Sequence, residues 1–564
     1  MNILIKNGKV VDGTGNPWFY YDIEIEDGKI KQMKRKLEVK ADRTIDAEGL
    51  VVAPGFIDAH CHADGPLVFR PALEEYKSQG ITTTTFGSDG MGLYPDKKSF
   101  LEWSLQWYGS DTNMYSKVFA KSAYDWHSLT DLCQLIMSQG PAINSVPLLG
   151  LGPILFKVGY EVKSDAEVRR LTAEEMAKVK SLISQGFKEG AVGLSSSRDY
   201  PPDKWLEIDD YVEILKEVKK HNGVFFPHTI LVGTPQGVRE AIKMAKLSGV
   251  ELHILHVVVA PNWQFGTGNN LREVLGLIDS AREDGVDVTF DVSQDLDFIY
   301  RKDGLTRQIR FFCRVYGTPP PKGVESLEQF HKNLEDPSYR EMIKRTTLEV
   351  IGRSERYAAA FWQNHLDNAI LTKTGDEKLE GKTVGQIAKG LGVNATDLFF
   401  DMAFNVSPVL RDRPHALVTL PRNSGHPNAE NVLEASLHPL AMPSSDYPVF
   451  PTPPEYFYMG SAPWGIMPTY FRRTTARGQR LEETIRKMTS APARVFGLTD
   501  RGILRPGMKA DIVIFDPVEF RSVADYDHQN ARAEGVHYVM VNGRLVLDKG
   551  ELTEERPGEV LVRG

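Results

Sequence analysis

Eight short apolar segments, separated by stretches with helical periodicity, recur between residues 50 and 443 and strongly constrain the fold. Alternation of buried strands with helices is typical of a parallel sheet with helical crossovers, and eight such units can close into a (β/α)8 barrel. We therefore predict an α/β fold with a TIM-like barrel at its centre. The predicted barrel strands cover residues 50–57, 81–86, 145–150, 191–194, 224–226, 250–255, 286–290 and 440–443.

Both ends of the chain show a different pattern, in which short apolar runs alternate with glycine-containing turns. Asp27-Gly28 and Asn542-Gly543 each lie between two such runs, and these dipeptides favour two-residue β-hairpins. Each terminal segment is too short to form a stable β domain alone. We predict that residues 1–54 and 499–564 pair into one small β-sandwich domain, and that residues 55–498 form the barrel.

One stretch of the barrel region, at about residues 295–435, is longer than a single crossover requires. It contains several helical patterns, so we predict a helical insertion near the barrel mouth. An insertion in this place is a candidate lid over the active site.

Composition and charge argue against several classes of function. The 564 residues carry a formal net charge of −8 without a long basic run, which argues against nucleic-acid binding. The three cysteines are too few and odd in number for a disulfide framework. No run of about 18 apolar residues occurs, and the N-terminus lacks the pattern of a signal peptide. These features predict a cytoplasmic enzyme that binds neither membrane nor nucleic acid.

Residue types that bind metals follow five of the predicted barrel strands, at the ends where the active site of such a barrel lies. His60 and His62 follow the first strand, and their i, i+2 spacing on an extended backbone points both to the same side. Imidazole and carboxylate groups bind zinc and similar ions. One such pair is common by chance, but coincidence at five strand ends is improbable. The predicted ligands are His60, His62, Asp89, His228, His256 and Asp446.

Each of these residues also has a structural interpretation. Asp89 stands between serine and glycine, as a turn residue would, and Asp446 follows two serines and could cap a helix. His256 could be a hydrogen-bonded core histidine. His253 has odd spacing from His256, so we expect it to face the opposite side of the strand and to be structural. By the same alternation, Cys61 should face away from the metal.

Several motifs resemble those of the amidohydrolase superfamily, specifically its D-aminoacylase-like branch of N-acyl-D-amino-acid deacylases. Residues Ala53–His62 and Arg505–Asp511 are the most specific, and Tyr200–Pro202 indicates the branch. The resemblance implies a metal-dependent barrel with a β-sandwich built from both termini. It also implies that the four histidines bind metal. Asp446 is then the group that takes a proton from the attacking water and passes it to the leaving nitrogen.

The sequence departs from the branch at several positions. Asp89 stands where branch members usually carry cysteine, so one or two Zn²⁺ ions or another divalent metal are all open. Val258 stands in place of a frequent lysine, and Ser293 in place of a frequent tyrosine. We therefore expect the residues that surround the substrate to differ from those of other branch members. The candidate substrate-binding residues include arginines, which match a carboxylate in bidentate fashion; they are Arg198, Tyr200, Ser293, Arg411 and Arg413.

We predict a hydrolase that cleaves an amide-type C–N bond of a small molecule, such as an N-acyl-D-amino acid or a related N-acyl compound. A cyclic-amide hydrolase of the hydantoinase or dihydroorotase kind is one alternative. It is disfavoured because the fourth strand, Gly193-Leu194-Ser195, has no lysine to bridge two metals. A non-catalytic metal-binding barrel is the other alternative, and Asp446 argues against it. The oligomeric state stays open, with a homo-oligomer as one alternative.

Overall fold

Eight parallel strands form the central (β/α)8 barrel predicted from the sequence. The strands lie side by side in chain order, and every adjacent pair is parallel. Their C-terminal ends therefore meet at one rim of the barrel. The strands span Phe56–Ile57, Ile81–Phe86, Asn144–Gly150, Gly193–Ser197, Val224–His228, Glu251–Ile254, Val288–Ser293 and Ala441–Ser444.

Hydrogen bonds just beyond the first and eighth strands join the two ends of this sheet. The Asp446 amide donates to the His60 carbonyl at 3.0 Å. The Ser445 amide and hydroxyl donate to the buried Asp58 carboxylate at 3.0 and 2.5 Å. These bonds hold Asp446 beside His60, although the two residues are far apart along the chain.

The structure is a computed structural model. It describes residues 2–563 except 113–118, 161–168, 230–233, 258–269, 295–297, 302–303, 308, 311–312, 314–320, 354–368, 411–412, 414–415, 421–426, 447–456, 459–461, 526–527 and 529. Across the described part of the chain, we find no helix with the length and apolar character needed to cross a bilayer.

Helices connect the barrel strands, and their apolar residues pack into the core. Ala173–Lys188 is an example: a capping box of Thr172 and Glu175 starts it, and Val179, Ile183 and Phe187 are buried. The helices that flank the barrel strands, of which Pro427–Leu437 begins within the predicted insertion, span Pro66–Phe69, Glu74–Lys77, Lys97–Thr112, Leu129–Ser138, Leu151–Lys157, Ala173–Lys188, Ile208–Lys220, Pro235–Ser248, Asn270–Glu283, Pro427–Leu437, Ala462–Ala476, Leu481–Met488 and Ser490–Val495, with a 3-10 turn at Asp203–Trp205.

The apolar run at 50–57, predicted as one barrel strand, is divided between two sheets. Val51–Pro54 pairs antiparallel with Ile512–Phe515, whereas Phe56–Ile57 pairs with the second barrel strand. Gly55 separates the two, and a Cβ there would lie 2.2 Å from the side chain of Thr82. The sequence predicts burial correctly here but not the change of sheet, since both sheets bury apolar strands.

The two termini form the predicted β-sandwich. Both predicted hairpin turns have positive φ at their two central residues, 50° and 76° at Asp27-Gly28 and 46° and 79° at Asn542-Gly543. One sheet contains Asn2–Lys6, Asp22–Glu26, Lys29–Lys34 and Arg43–Asp46; the other contains Lys9–Val10, Phe19–Tyr20, Val51–Pro54, Ile512–Phe515, Val536–Val541, Arg544–Asp548 and Glu551–Leu552. The domain limits at 54 and 498 stay predictions.

The insertion contains a β-sheet as well as the expected helices. Its strands are Phe298–Arg301, Ile370–Lys373, Leu417–Leu420 and Phe457–Tyr458, of which the last lies beyond the eighth barrel strand. Phe330, Leu371 and Phe399 belong to a hydrophobic core of its own. The role as a lid stays a prediction. Helices in this region span Leu327–Asn333, Pro337–Arg353, Val384–Leu391 and Ala395–Ala403.

Truncation of Phe226 should destabilise the barrel. Its side chain is fully buried in the fifth strand, with its ring 5.9 Å from that of Phe496. We expect Phe226→Ala to lower the free energy of unfolding by about 3–5 kcal/mol, because the loss leaves a cavity. Denaturant unfolding measures the change. The control Leu247→Ala, at a residue that is 54% exposed, should alter it by less than about 0.5 kcal/mol. Equal effects would contradict this expectation.

Candidate metal centre

The six predicted ligands come together at the C-terminal rim of the barrel, with Asp89 in the middle. Asp89 Oδ1 lies 3.5 Å from His60 Nε2 and 3.4 Å from His256 Nε2. Asp89 Oδ2 lies 3.4 Å from both His62 Nε2 and His228 Nδ1. One carboxylate therefore faces four imidazoles that come from three different barrel strands.

Asp446 completes the cluster on the side of the first strand. Its Oδ1 lies 3.5 Å from His62 Nε2 and 3.7 Å from His60 Nε2. The donor atoms fall into two groups that share Asp89, and within each group they lie within 4.8 Å of one another. The first group is His60, His62, Asp89 and Asp446, and the second is Asp89, His228 and His256.

Several buried atoms at the centre of the cluster lack a hydrogen-bond partner among the described residues. They are His60 Nε2, Asp89 Oδ1 and His228 Nδ1. Buried polar atoms are normally hydrogen-bonded, so such a set requires an explanation. A cation between these atoms would satisfy them, and nitrogen and oxygen donors suit zinc and other divalent ions. The residues present therefore fit a metal ion.

The electrostatics of the cluster also favour a cation. Burial disfavours ionised Asp89, but the imidazoles of His60, His256 and His228 outweigh it and hold the pKa of this carboxyl well below its ordinary value. Burial likewise disfavours protonated His62, but its hydrogen bonds to Asp446 and Asp89 raise its pKa to about 10. Anionic carboxylates thus attract positive charge, and a metal would take the place of the imidazole protons.

Three residues of the cluster have backbone conformations that are uncommon outside glycine. Asp89, His256 and Asp446 have φ values of 55°, 32° and 48°. Non-glycine residues with positive φ are rare, and they concentrate at functional sites. All three lie just past the end of a barrel strand, where the chain turns and the side chain joins the cluster.

A second layer of buried side chains supports the cluster, and the sequence did not point to it. Asp291, in the seventh strand, has Oδ1 3.5 Å from His60 Nδ1 and accepts a hydrogen bond from the His256 amide at 3.0 Å. His253 Nε2 lies 3.3 Å from Asp291 Oδ2, and its Nδ1 lies 2.8 Å from Thr289 Oγ1. The available signal was an aspartate within an apolar strand. His253 was expected to face the opposite side of its strand, but this expectation is wrong: it lies on the side of the cluster, because Asp291 contacts both His253 and His60.

The predicted substrate-binding residues lie in different places. The Tyr200 ring lies 4.9 Å from that of His228, and Ser293 is buried and donates to the Ser445 carbonyl at 3.3 Å. Arg198 instead donates to Glu240 at 2.5 Å. Arg413 donates to Asp376 within the insertion at 2.7 Å. Arg411 lies outside the described residues, as does Val258.

Cys61 faces away from the cluster, as the alternation predicts. Its Sγ lies 2.6 Å from Thr84 Oγ1, on the second barrel strand. Burial raises the pKa of this thiol to about 12, so it stays protonated at neutral pH. The thiol is therefore unsuited to bind a metal where it stands.

Comparison with known proteins shows full-length similarity to deacylases. A model of the Amidohydrolase family matches residues 438–547. An N-acyl-D-aspartate deacylase of Alcaligenes xylosoxydans xylosoxydans is 26% identical over 566 residues, covering 100% of this chain and 95% of the relative. A D-aminoacylase of the same organism is 24% identical over 568 residues, covering 100% and 98%.

Solved structures share the fold. An N-acyl-D-glutamate deacylase from Bordetella bronchiseptica, complexed with zinc and a phosphonate inhibitor, has a TM-score of 0.69 at 23% identity and covers 99% of each chain. A D-aminoacylase structure has a TM-score of 0.70 at 23% identity, covering 100% of this chain and 99% of the other. These similarities confirm the predicted barrel.

Proposed function

We propose that this chain, a member of the amidohydrolase superfamily in its D-aminoacylase-like branch, is a metal-dependent hydrolase. It would cleave the amide C–N bond of N-acyl-D-amino acids or related small N-acyl compounds. The observation that carries the proposal is the cluster of four histidines and two aspartates around one centre. One or two Zn²⁺ ions are the proposed cofactor, with another divalent metal as the alternative. Full-length relatives that are named as N-acyl-D-aspartate deacylase, D-aminoacylase and N-acyl-D-glutamate deacylase support this substrate class.

His60, His62, Asp89 and Asp446 would hold one ion, and Asp89, His228 and His256 a second. A divalent ion held by these residues would lower the pKa of bound water from about 16 to about 7 and would polarise a carbonyl group. The imidazoles and Asp89 keep their positions through the strand ends that carry them. These residues would thus bring the activated water and the polarised carbonyl group next to each other.

Asp446 is the proposed general base and acid. Its carboxylate stands at the edge of the cluster and is 17% exposed, whereas the Asp89 side chain is 5% exposed. The Asp446 carboxylate accepts the proton of the attacking water as the new C–O bond forms. It then donates that proton to the nitrogen as the C–N bond breaks, which releases a carboxylic acid and an amine.

The alternative of a cyclic-amide hydrolase receives no support from the fourth barrel strand. Ser195 stands there, and its hydroxyl donates to the Gly87 carbonyl at 2.5 Å and accepts from the Gly90 amide at 2.9 Å. This side chain therefore joins the fourth strand to the loop after the second strand, and the fourth strand, Gly193–Ser197, contains no lysine that could bridge two metals. A small-molecule substrate belongs to the proposal, while cytoplasmic location and oligomeric state stay predictions.

A substrate panel tests the proposal. The enzyme, purified and loaded with Zn²⁺, is offered N-acetyl-D- and N-acetyl-L-amino acids with acidic, apolar and polar side chains, together with hydantoin and dihydroorotate. We expect release of free amine from D-configured substrates and none from a metal-free sample. Turnover of the cyclic amides alone would favour the first alternative. Absence of both metal and turnover would favour a non-catalytic barrel.

A further inference from the structure

Three consecutive residues, Arg198-Asp199-Tyr200, contact His228 from three directions. The Arg198 amide donates to the His228 carbonyl at 3.0 Å. The Asp199 carboxylate accepts from His228 Nε2 at 3.1 Å. The Tyr200 ring packs on the imidazole with a centroid distance of 4.9 Å and an interplanar angle of 45°. We call these three residues the His228 clamp.

His228 differs from the other three histidines in the nitrogen that it presents to the centre. His60, His62 and His256 face the Asp89 carboxylate with Nε2, whereas His228 faces it with Nδ1. Each ring nitrogen of His228 faces a carboxylate, Nδ1 that of Asp89 and Nε2 that of Asp199. A metal ion at the centre would need the lone pair of Nδ1, so the hydrogen of the neutral ring would then be on Nε2, where the Asp199 carboxylate accepts it. The lone pair of Nδ1 is then directed toward Asp89 and the centre of the cluster.

The clamp is itself held by hydrogen bonds to the surrounding residues, so it can impose an orientation on His228. Asp199 is 5% exposed, and its amide donates to Ser197 Oγ at 3.3 Å. The Arg198 guanidinium donates to Glu240 at 2.5 Å and to the Leu206 carbonyl at 2.8 Å. A buried carboxylate is costly unless it is hydrogen-bonded, and the His228 N–H provides such a bond.

We propose that Asp199 is a positioning residue that sets the tautomer and the ring orientation of His228, so that Nδ1 binds the metal. Arg198, which the sequence suggested as a substrate anchor, serves the clamp through its backbone amide and its ion pair. The inference rests on the proposed function, because it assumes that the cluster holds a metal. Residues that orient a metal-binding histidine typically change metal affinity by about 10- to 100-fold.

Titration of the metal-free full-length protein with Co²⁺ alone tests this inference, with the visible absorption band as the readout. Asp199→Asn keeps the shape, but its amide can donate to Nε2 and move the hydrogen to Nδ1. We expect Co²⁺ affinity to fall by about 10- to 100-fold and the absorption band to change. In a His228→Ala background, Asp199→Asn should cause no further loss.

Asp203→Asn is the matched control, because Asp203 is buried in the same loop and accepts from the Ser197 amide at 3.0 Å. It should bind Co²⁺ like the wild type, with thermal unfolding as the check on folding. Unchanged affinity in Asp199→Asn, or equal losses in both variants, would overturn the inference. If Asp199→Asn does not fold, Asp199→Ser and Asp199→Glu replace it, with weakened and partly restored affinity expected. A wild type that binds no Co²⁺ would instead refute the proposed function.

Discussion

Replacement of Asp446 with asparagine is expected to lower kcat by about 10²- to 10⁴-fold while the protein still binds metal. Asparagine has nearly the same shape as aspartate, and its carbonyl oxygen can still contact a cation. It cannot accept a proton from water and deliver it to the leaving nitrogen. Steady-state kinetics on the best substrate of the panel, together with elemental analysis of the same sample, measures both effects.

The control for this variant is Asp209→Asn. The Asp209 side chain is 75% exposed and lies at the start of the helix Ile208–Lys220. We expect its kcat and metal content to equal those of the wild type. Near-normal turnover of Asp446→Asn would rule out the role assigned to Asp446. Complete loss of metal from the variant would mean that Asp446 acts mainly as a ligand.

Removal of the metal is expected to abolish hydrolysis, and added Zn²⁺ should restore it. Without a cation, the pKa of water stays near 16 rather than near 7, and the hydroxide concentration at neutral pH is too low. The assay compares initial rates before dialysis against dipicolinate, after it, and after stoichiometric Zn²⁺ is returned.

The fold should survive this treatment, because the barrel and the sandwich each have a buried apolar core that contains none of the metal ligands. Far-UV circular dichroism of the metal-free sample is therefore expected to match that of the loaded enzyme. Full activity of a sample with no detectable metal would contradict the mechanism. Other divalent ions, returned one at a time, identify which metal the aspartate-containing cluster uses best.

Strand positions followed closely from the sequence where a strand is buried on both faces. The run at 81–86 is the strand Ile81–Phe86, and that at 224–226 lies within Val224–His228. An apolar run limited by turn residues is enough to locate such a strand. The two hairpins were predictable for a similar local reason, since Asp-Gly and Asn-Gly adopt positive φ at low cost.

Long-range pairing was not predictable in the same way. The run at 50–57 joins two sheets at Gly55, which passes close to Thr82, a residue distant in sequence. The sheet of the insertion likewise takes Phe457–Tyr458 from beyond the eighth barrel strand. Local composition carries no information on which strands pair with one another. The sequence therefore indicated the helices of the insertion but not its sheet.

The sequence by itself determined the barrel, the sandwich and the residue types of the metal cluster, because periodicity and residues at strand ends are local properties. Only the tertiary structure decided how these residues work together. It placed Asp89 between four imidazoles and turned His228 so that Nδ1 faces inward. It also placed Arg198 in an ion pair with Glu240, which no spacing along the chain could indicate. The physical reason is that distances and hydrogen bonds between side chains depend on the packing of strands that are remote in sequence.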